Sequence, residues 1–338
     1  MSANAWSFGG CVKTVLLIGK GPTALAALDS LAERLRVVGI LRDVRLRTAE
    51  DDELQRRADE LEVPIFTDIT LHGVEQTIIK LRPDCTVLSG YDRILPAQIL
   101  ELSRFVNVHG SPLPKYRGRT YINWAIINNE PELAVTIHVI TEGLDAGNVL
   151  YQKKVAIDPH DKAIDVFSKL NEIQRQVLGD TVERYLSGYT GIPQDESAAT
   201  YVCARVPEDG EINWSYSTDR IYALIRALSP PFPEAYTYLE TRRISIIRAV
   251  PVENAPRYAG RIPGRVVVRS NNNGYVDVLS GDGVIRIYEV RTADSVRHPA
   301  AALIRSTRQT LGLRTEDLLK RIEVLSSQID QLLRRETS

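Results

Sequence analysis

The segment NVHGSPLPKYRG, residues 107–118, places an asparagine and a histidine two positions apart at the end of an apolar run. If residues 105–109 form a strand, Asn107 and His109 point to the same face. A neutral imidazole, with an ordinary pKa of about 6.5, accepts a proton near neutral pH. An asparagine amide donates N–H groups to an oxyanion. The pair predicts a general base beside an oxyanion donor, whereas a histidine alone would more simply be bonded to a backbone carbonyl.

The loop after this pair is stiffened by two prolines and carries Lys115, Arg117 and Arg119. A rigid cationic loop beside a candidate base favours an anionic substrate, so we expect these three residues to contact it. Alternatively, each cation simply belongs to a solvated surface loop.

A second segment, HVITEGLDAGNVL at residues 138–150, places Asp145 between Gly143 and Gly147. The segment predicts a strand that runs into a sharp turn. A carboxylate near His109 would orient the imidazole and stabilise its charged form. The alternative is an aspartate that only caps its own turn.

The elements that must position these residues alternate between strand and helix patterns. Short apolar runs predict strands at residues 14–19, 37–42, 85–90, 105–109 and 133–140, and helical patterns begin near Pro22 and cover residues 49–62 and 162–188. This rhythm predicts an α/β fold, with an open, mostly parallel Rossmann-like sheet that binds its ligand at the carboxyl ends of the strands.

The second half of the chain has a different pattern. Residues 218–228 predict a helix, and residues 264–290 read as short strands separated by NNNG and GDG turns, which predicts a small, barrel-like all-β domain. The expected domains are a flexible lead over 1–12, a catalytic domain over 13–205, a small C-terminal β domain over 206–312 and a C-terminal helix over 313–338.

The C-terminal helix carries a heptad seam of isoleucine and leucine. Two explanations remain open, a helix packed on its own domain and a homodimer seam. The seam residues are Leu318, Ile322, Leu325, Ile329 and Leu332.

The segment GKGPTA at residues 19–24, followed by Asp43, also fits a dinucleotide-binding fingerprint. A dinucleotide-binding oxidoreductase is therefore an alternative, although a plain tight turn after the first strand explains the same glycines.

Composition narrows the function classes. The formal net charge is −1, so nothing global indicates nucleic acid or membrane as a partner. No apolar run reaches the length of a membrane span, and the first residues lack a signal-peptide pattern. The three cysteines, Cys11, Cys85 and Cys203, fit neither a disulfide framework nor a zinc site. We therefore expect a cytoplasmic protein without a metal.

Taken together, NVHGSPLPKYRG, SGYDRILP at 89–96 and HVITEGLDAG at 138–147 resemble the motifs of folate-dependent formyltransferases in order and spacing. The segments RVPEDGEINW and IYALIRALSPPFPEAYTYL, and the β region, resemble the C-terminal part of the methionyl-tRNA and amino-arabinose members. The resemblance covers about residues 13–310 and leaves out the tail.

This resemblance implies that 10-formyltetrahydrofolate is the formyl donor and that no metal or covalent intermediate is needed. Asn107 would donate to the oxyanion, His109 would accept the proton of the attacking amine, and Asp145 would orient His109 or move a proton through water. It also implies a set of folate contacts: Ser89, Gly90, Tyr91, Arg93, Ile94, Leu95, Val139 and Gly143.

The acceptor is the amine of a nucleotide-linked amino sugar or, alternatively, that of methionyl-tRNA. Residues 241–310 contain twelve arginines, five acids and no lysine, and this basic bias favours tRNA. The segment RDVRLRTAEDDELQRR at 42–57, however, is short and acid-compensated, unlike the basic insertion of methionyl-tRNA formyltransferases. We expect a sugar N-formyltransferase whose pyrophosphate contacts are Lys115, Arg117 and Arg119.

Overall fold

A computed structural model describes residues 12–42 and 49–336 of the chain, without the side chains of 49–50 and 334–336. The chain divides into two compact units. The first contains the described residues up to Ile122, together with Pro131–Ile157 and Val166–Ala204. The second contains Asn123–Glu130, Asp158–Asp165 and the described residues from Arg205 onward.

The first unit is built on a seven-stranded sheet in the order β3-β2-β1-β4-β5-β6-β7. Strands β1 to β5 are mutually parallel, whereas β6 runs antiparallel to both β5 and β7. The strand bounds are β1 Thr14–Gly19, β2 Arg36–Leu41, β3 Ile65–Phe66, β4 Cys85–Ser89, β5 Arg104–His109, β6 Glu132–Val139 and β7 Val149–Ala156. Buried apolar runs in β1 and β4 explain why these strands lie at the centre of the sheet.

Helices connect these strands and cover the sheet. Their bounds are α1 Gly21–Ala32, α2 Ala49–Glu60, α3 Leu71–Leu81, α4 Ala97–Leu100, α5 Tyr121–Ile127 and α6 Ala163–Leu186. Pro22 lies in the first turn of α1, where its missing N–H costs no hydrogen bond. Thr70 caps α3 by accepting a hydrogen bond from the Gly73 N–H. Helix α6 lies close against α1, and the Gly179 N–H donates to the Ser30 hydroxyl at 3.0 Å.

One face of the sheet forms an apolar core that reaches the loops expected to bind the ligand. Leu16, Leu41, Leu88 and Phe105 are buried in it. Leu95 belongs to the same core, and Tyr91 and Ile140 pack against it from the loops after β4 and β6. The core therefore fixes both loops relative to the carboxyl ends of the parallel strands.

The second unit contains a six-stranded antiparallel sheet in the order β10-β11-β12-β9-β8, with β13 added to β12. Its elements are α7 Thr218–Ala227, β8 Tyr236–Leu239, β9 Arg242–Pro251, β10 Val266–Ser270, β11 Tyr275–Leu279, β12 Val284–Arg291, β13 Arg297–Pro299, α8 Ala300–Leu303 and α9 Thr315–Glu336. Thr310 bridges Arg265 just before β10, and Leu311 bridges Leu239 in β8. This segment links the two outer strands, so the sheet closes into a barrel-like form.

The predicted fold class is confirmed: a mostly parallel Rossmann-like sheet, an all-β unit and a C-terminal helix. The described helices include none that is both long and apolar enough to cross a membrane. The cytoplasmic location stays a prediction.

Candidate active site

Strand β6 places a second histidine directly opposite Asn107. In the antiparallel register of β5 and β6, Asn107 pairs with His138 and His109 pairs with Thr136. The Nδ2 atom of Asn107 lies 3.1 Å from Nε2 of His138. His138 was not among the predicted site residues, because the sequence pattern does not show that β6 runs antiparallel to β5.

The hydrogen bonds of His138 fix both its tautomer and the orientation of the Asn107 amide. Its Nδ1–H donates to the Val139 carbonyl at 2.9 Å, so Nε2 carries the lone pair and accepts from Asn107. Burial and the neighbouring His109 together lower the pKa of His138 to about 4, although the charge of Asp145 opposes the shift. The ring is therefore neutral near pH 7, and among the described residues His138 takes up one of the two N–H groups of the Asn107 amide, which leaves the other for a further acceptor.

His109 is buried beside a tyrosine ring, with its two nitrogens in different surroundings. Its Nε2–H donates to the Tyr116 carbonyl at 3.1 Å, and its Nδ1 lies 3.7 Å from Oδ2 of Asp145. The Tyr121 ring lies 4.4 Å away between centroids. Burial lowers the pKa of His109, and the charge of Asp145 opposes that shift. His109 is therefore a neutral imidazole whose Nδ1 lone pair can take a proton beside a carboxylate.

Asp145 lies between the two histidines. Its Oδ2 accepts a hydrogen bond from the Gly118 N–H at 2.9 Å, and its Oδ1 lies 3.6 Å from Nε2 of His138. The turn that carries Asp145 returns close to β6, since a Cβ at Gly147 would lie 1.8 Å from the Val139 carbonyl oxygen. Only glycine fits at that position. The structure thus brings Asn107, His109 and Asp145 together, as their types and spacing predicted.

A buried arginine braces this turn from behind. Gln194 donates from Nε2 to the carbonyls of Asp145 and Gly147 at 2.7 and 2.8 Å. Its Oε1 accepts from Arg117 at 2.8 Å, and Arg117 also donates to both carboxylate oxygens of Glu196. Asp145 has a positive φ of 49°, a conformation that a non-glycine residue holds only when its surroundings fix it. Arg117 and Gln194 provide that fixation.

The three cations predicted to contact substrate do not lie in equivalent positions. Lys115 and Arg119 are exposed. The side chain of Arg117, in contrast, is 1% exposed, and its guanidinium is held by Glu196, Gln194 and the Tyr201 hydroxyl. This burial argues against the predicted substrate contact of Arg117, because its charge is satisfied inside the unit. Lys115 and Arg119 remain candidates.

Some of the residues predicted to contact folate are exposed or line a cleft, whereas others are buried. Ser89 is fully buried, and its hydroxyl lies 3.0 Å from the Thr23 hydroxyl and 2.8 Å from Nε2 of Gln174. Gly90, Tyr91 and Arg93 line a cleft at the ends of β1, β2 and β4. Ile94 is 75% exposed, whereas Leu95 is buried in the apolar core. Val139 ends β6, and Gly143 is exposed in the turn before Asp145.

The GKGPTA turn is explained by packing. A Cβ at Gly19 would lie 2.1 Å from the Ser89 carbonyl oxygen, so glycine is required where β1 meets β4. Lys20 is paired with Asp92 at 2.5 Å. Asp43, Cys11 and part of the 42–57 segment lie outside the described residues. Within the described residues, no group of three or more histidine, cysteine or acidic side chains forms a metal site.

An amide, an imidazole and a carboxylate that converge beside β5 of an open α/β sheet form a site that could act on a carbonyl carbon. The family model described as Formyl transferase matches residues 69–182, and the one described as Formyl transferase, C-terminal domain, matches residues 206–308. Together they cover more than half of the 338 residues. The chain belongs to the formyltransferase family, and this prediction is confirmed.

Solved structures share the fold at low identity. HypX from Aquifex aeolicus, in complex with tetrahydrofolic acid, is 17% identical with a TM-score of 0.63, over 88% of this chain and 47% of that one. WlaRD, a sugar 3N-formyltransferase with dTDP and 5-N-formyl-THF, is 19% identical with a TM-score of 0.59, over 85% of this chain and 100% of that one. A sugar N-formyltransferase from Shewanella sp. FDAARGOS_354 is 18% identical with a TM-score of 0.57, over 70% of this chain and 97% of that one. This chain thus spans about half the length of the HypX structure.

Proposed function

We propose that this chain transfers a formyl group from 10-formyltetrahydrofolate to the amine of a nucleotide-linked amino sugar. The observation that carries the proposal is the convergence of Asn107, His109 and Asp145, with His138 as the fourth member. In this proposal residues 13–205 form the catalytic domain and residues 206–312 the small C-terminal β domain.

The loops after β4 and β6 have the chemistry that a folate requires. The exposed apolar side chains of Ile94 and Leu144 offer surface to a flat ring. Tetrahydrofolate in HypX and 5-N-formyl-THF in WlaRD support a folate as the donor. When bound, the donor supplies a formyl carbon that is open to attack by an amine.

Each residue of the site would have a separate role in moving the proton or stabilising charge during the reaction. The free N–H of Asn107 donates to the formyl oxygen as that oxygen gains negative charge. The Nδ1 lone pair of His109 accepts the proton that the amine loses as its nitrogen bonds to the formyl carbon. Asp145 would then stabilise the imidazolium, and His109 would pass the proton taken from the amine to the folate nitrogen as the bond between that nitrogen and the formyl carbon breaks.

Four of the twelve arginines of residues 241–310 make structural contacts within the second unit. Arg286 binds Asp277 through two hydrogen bonds at 2.7 and 2.9 Å, and Arg291 is paired with buried Glu234 at 2.5 Å. Arg261 and Arg269 donate to backbone carbonyls. The charges of Arg286 and Arg291 are thus paired within the unit and are less available to a polyanion, which weakens the argument for tRNA. The dTDP of WlaRD supports a nucleotide-linked sugar as the acceptor.

Acceptor panels would test this proposal. Purified protein is incubated with 10-formyltetrahydrofolate and either dTDP-linked amino sugars or methionyl-tRNA, and the products are analysed by mass spectrometry. We expect one formyl group on an amino sugar with the wild type and with His160→Ala, which changes an exposed histidine, but none with His109→Ala. Formylation of methionyl-tRNA alone would reject the sugar acceptor while leaving the formyltransferase chemistry in place.

A further inference from the structure

Helix α9 presents an apolar stripe that the described residues of its own chain leave uncovered. The five seam residues Leu318, Ile322, Leu325, Ile329 and Leu332 are each between 41% and 59% exposed. Among the described side chains of α9, none is buried. The explanation that this helix packs back on its own domain is therefore contradicted for residues 315–333.

The stripe has the composition of a two-stranded coiled coil. Its spacings of four and three place Ile322 and Ile329 at a positions, and Leu318, Leu325 and Leu332 at d positions. In a parallel coiled coil, isoleucine at a with leucine at d favours two strands over three or four. The helix of 22 residues is about 33 Å long, enough for three heptads.

Charges on α9 are compatible with a parallel partner. The described basic residue at a g position, Arg321, would face Ser326 of a second helix, which is uncharged. Glu316, Glu323 and Asp330 lie at b positions, away from the seam, and Glu316 is paired with Lys320 at 2.8 Å on the outer face. No like charges would meet across the contact. Leu319 at an e position widens the apolar surface on one side.

The residues just before α9 are hydrogen-bonded to the β-sheet of the second unit. Pairing of α9 would therefore link two copies of the chain. The Leu311 N–H donates to the Gly264 carbonyl at 2.7 Å, and the Gly312 N–H donates to the Tyr238 carbonyl at 2.8 Å. The helix begins three residues later, at Thr315.

We propose that α9 pairs with the α9 of a second copy of this chain as a parallel, in-register, two-stranded coiled coil. This inference does not depend on the proposed reaction. It follows from the uncovered Ile/Leu seam, its heptad register and its charge pattern.

The mass of the full chain in solution, measured by light scattering across a concentration series, tests the pairing. We expect a dimer for the wild type and a monomer for Ile322→Lys/Ile329→Lys, with association weakened at least 100-fold. The matched control Ser327→Lys/Gln331→Lys adds the same charge to the outer face and should remain a dimer. A monomeric wild type, a trimer, or a double-lysine seam variant that remains a dimer would overturn the proposal.

A cysteine at one end of the seam tests the orientation. In a background with Cys11→Ser and Cys203→Ser, Leu318→Cys lies opposite itself only in a parallel in-register pair, and oxidation should give a cross-linked dimer. In an antiparallel pair each d residue lies opposite an a residue, so position 318 would face position 329. Cross-linking only in a mixture of Leu318→Cys and Ile329→Cys chains would contradict the parallel arrangement.

Discussion

Asn107 and His138 face each other across β5 and β6, and the Asn107 Nδ2–H donates to the unprotonated Nε2 of His138 at 3.1 Å. This contact holds the amide that the proposal assigns to the oxyanion. His138 is thus a positioning residue, because it acts through Asn107.

Replacing His138 with leucine should lower kcat more than it changes KM. Without an acceptor for its N–H, the Asn107 amide can rotate, and a misdirected oxyanion donor costs about 10²-fold in rate. His138→Gln keeps an acceptor oxygen and should recover part of kcat. Steady-state kinetics with both variants check this. A His138→Leu enzyme with unchanged kcat would show that the amide needs no such support.

Replacing Asp145 with asparagine should move the acid limb of the pH–rate profile. Burial lowers the pKa of His109, and the Asp145 charge raises it. Loss of that charge lowers the pKa further, so the neutral base persists to lower pH while turnover falls by orders of magnitude. The profile of kcat/KM against pH gives both quantities. Asp330→Asn, an exposed aspartate in α9, is the control and should match the wild type; an acid limb that moves to higher pH would contradict the assignment.

The buried His138 should make folding stability depend on pH. Its pKa is about 4 in the folded chain, against about 6.5 when unfolded, so the unfolded state binds more protons between these values. The contribution of neutral His138 to the free energy of unfolding is therefore fully present above pH 6.5 and is lost as the pH falls towards 4. The free energy of unfolding should decrease by about 2 kcal/mol between pH 7.5 and pH 5. Urea unfolding of the wild type and His138→Gln at both pH values measures the difference. If the free energy of unfolding fell by the same amount between the two pH values in both proteins, the loss would belong to groups other than His138.

Replacing Arg117 with lysine distinguishes a brace from a substrate contact. The structure predicts that Arg117→Lys and Gln194→Ala both lower Tm and kcat, because the turn that holds Asp145 loosens. Arg119→Lys, at an exposed cation, should leave Tm unchanged. If Arg117→Lys instead raised only the KM of the acceptor, with Tm and kcat unchanged, the result would support a direct contact between Arg117 and the substrate.

Sequence patterns predicted the features that depend on residues close together in the chain, namely the strands and the face that each side chain occupies. Alternation and apolar runs placed β1, β4, β5 and β6 within a residue or two, and the i, i+2 relation put Asn107 and His109 on one face. The antiparallel return through β7 was missed, since its polar sequence YQKK has no buried pattern.

The features of the site that the sequence did not predict depend on strand register and on contacts between residues far apart in the chain. His138 became part of the site only because β6 runs antiparallel to β5 and sets it opposite Asn107. Arg117 lies in a loop that is basic and polar in sequence, and its burial follows from contacts with residues 194–201. Likewise Ser89 is held by Gln174, 85 residues away.

Transfer of a labelled formyl group gives the most direct test of the central claim. Formyl-labelled 10-formyltetrahydrofolate is mixed with a nucleotide-linked amino sugar, and the label is followed into product with the wild type, Asn107→Ala, His109→Ala and Asp145→Asn. We expect label on the sugar amine with the wild type and a loss of orders of magnitude in each variant. Label transfer that survives all three substitutions would contradict the assignment of the chemistry to this site.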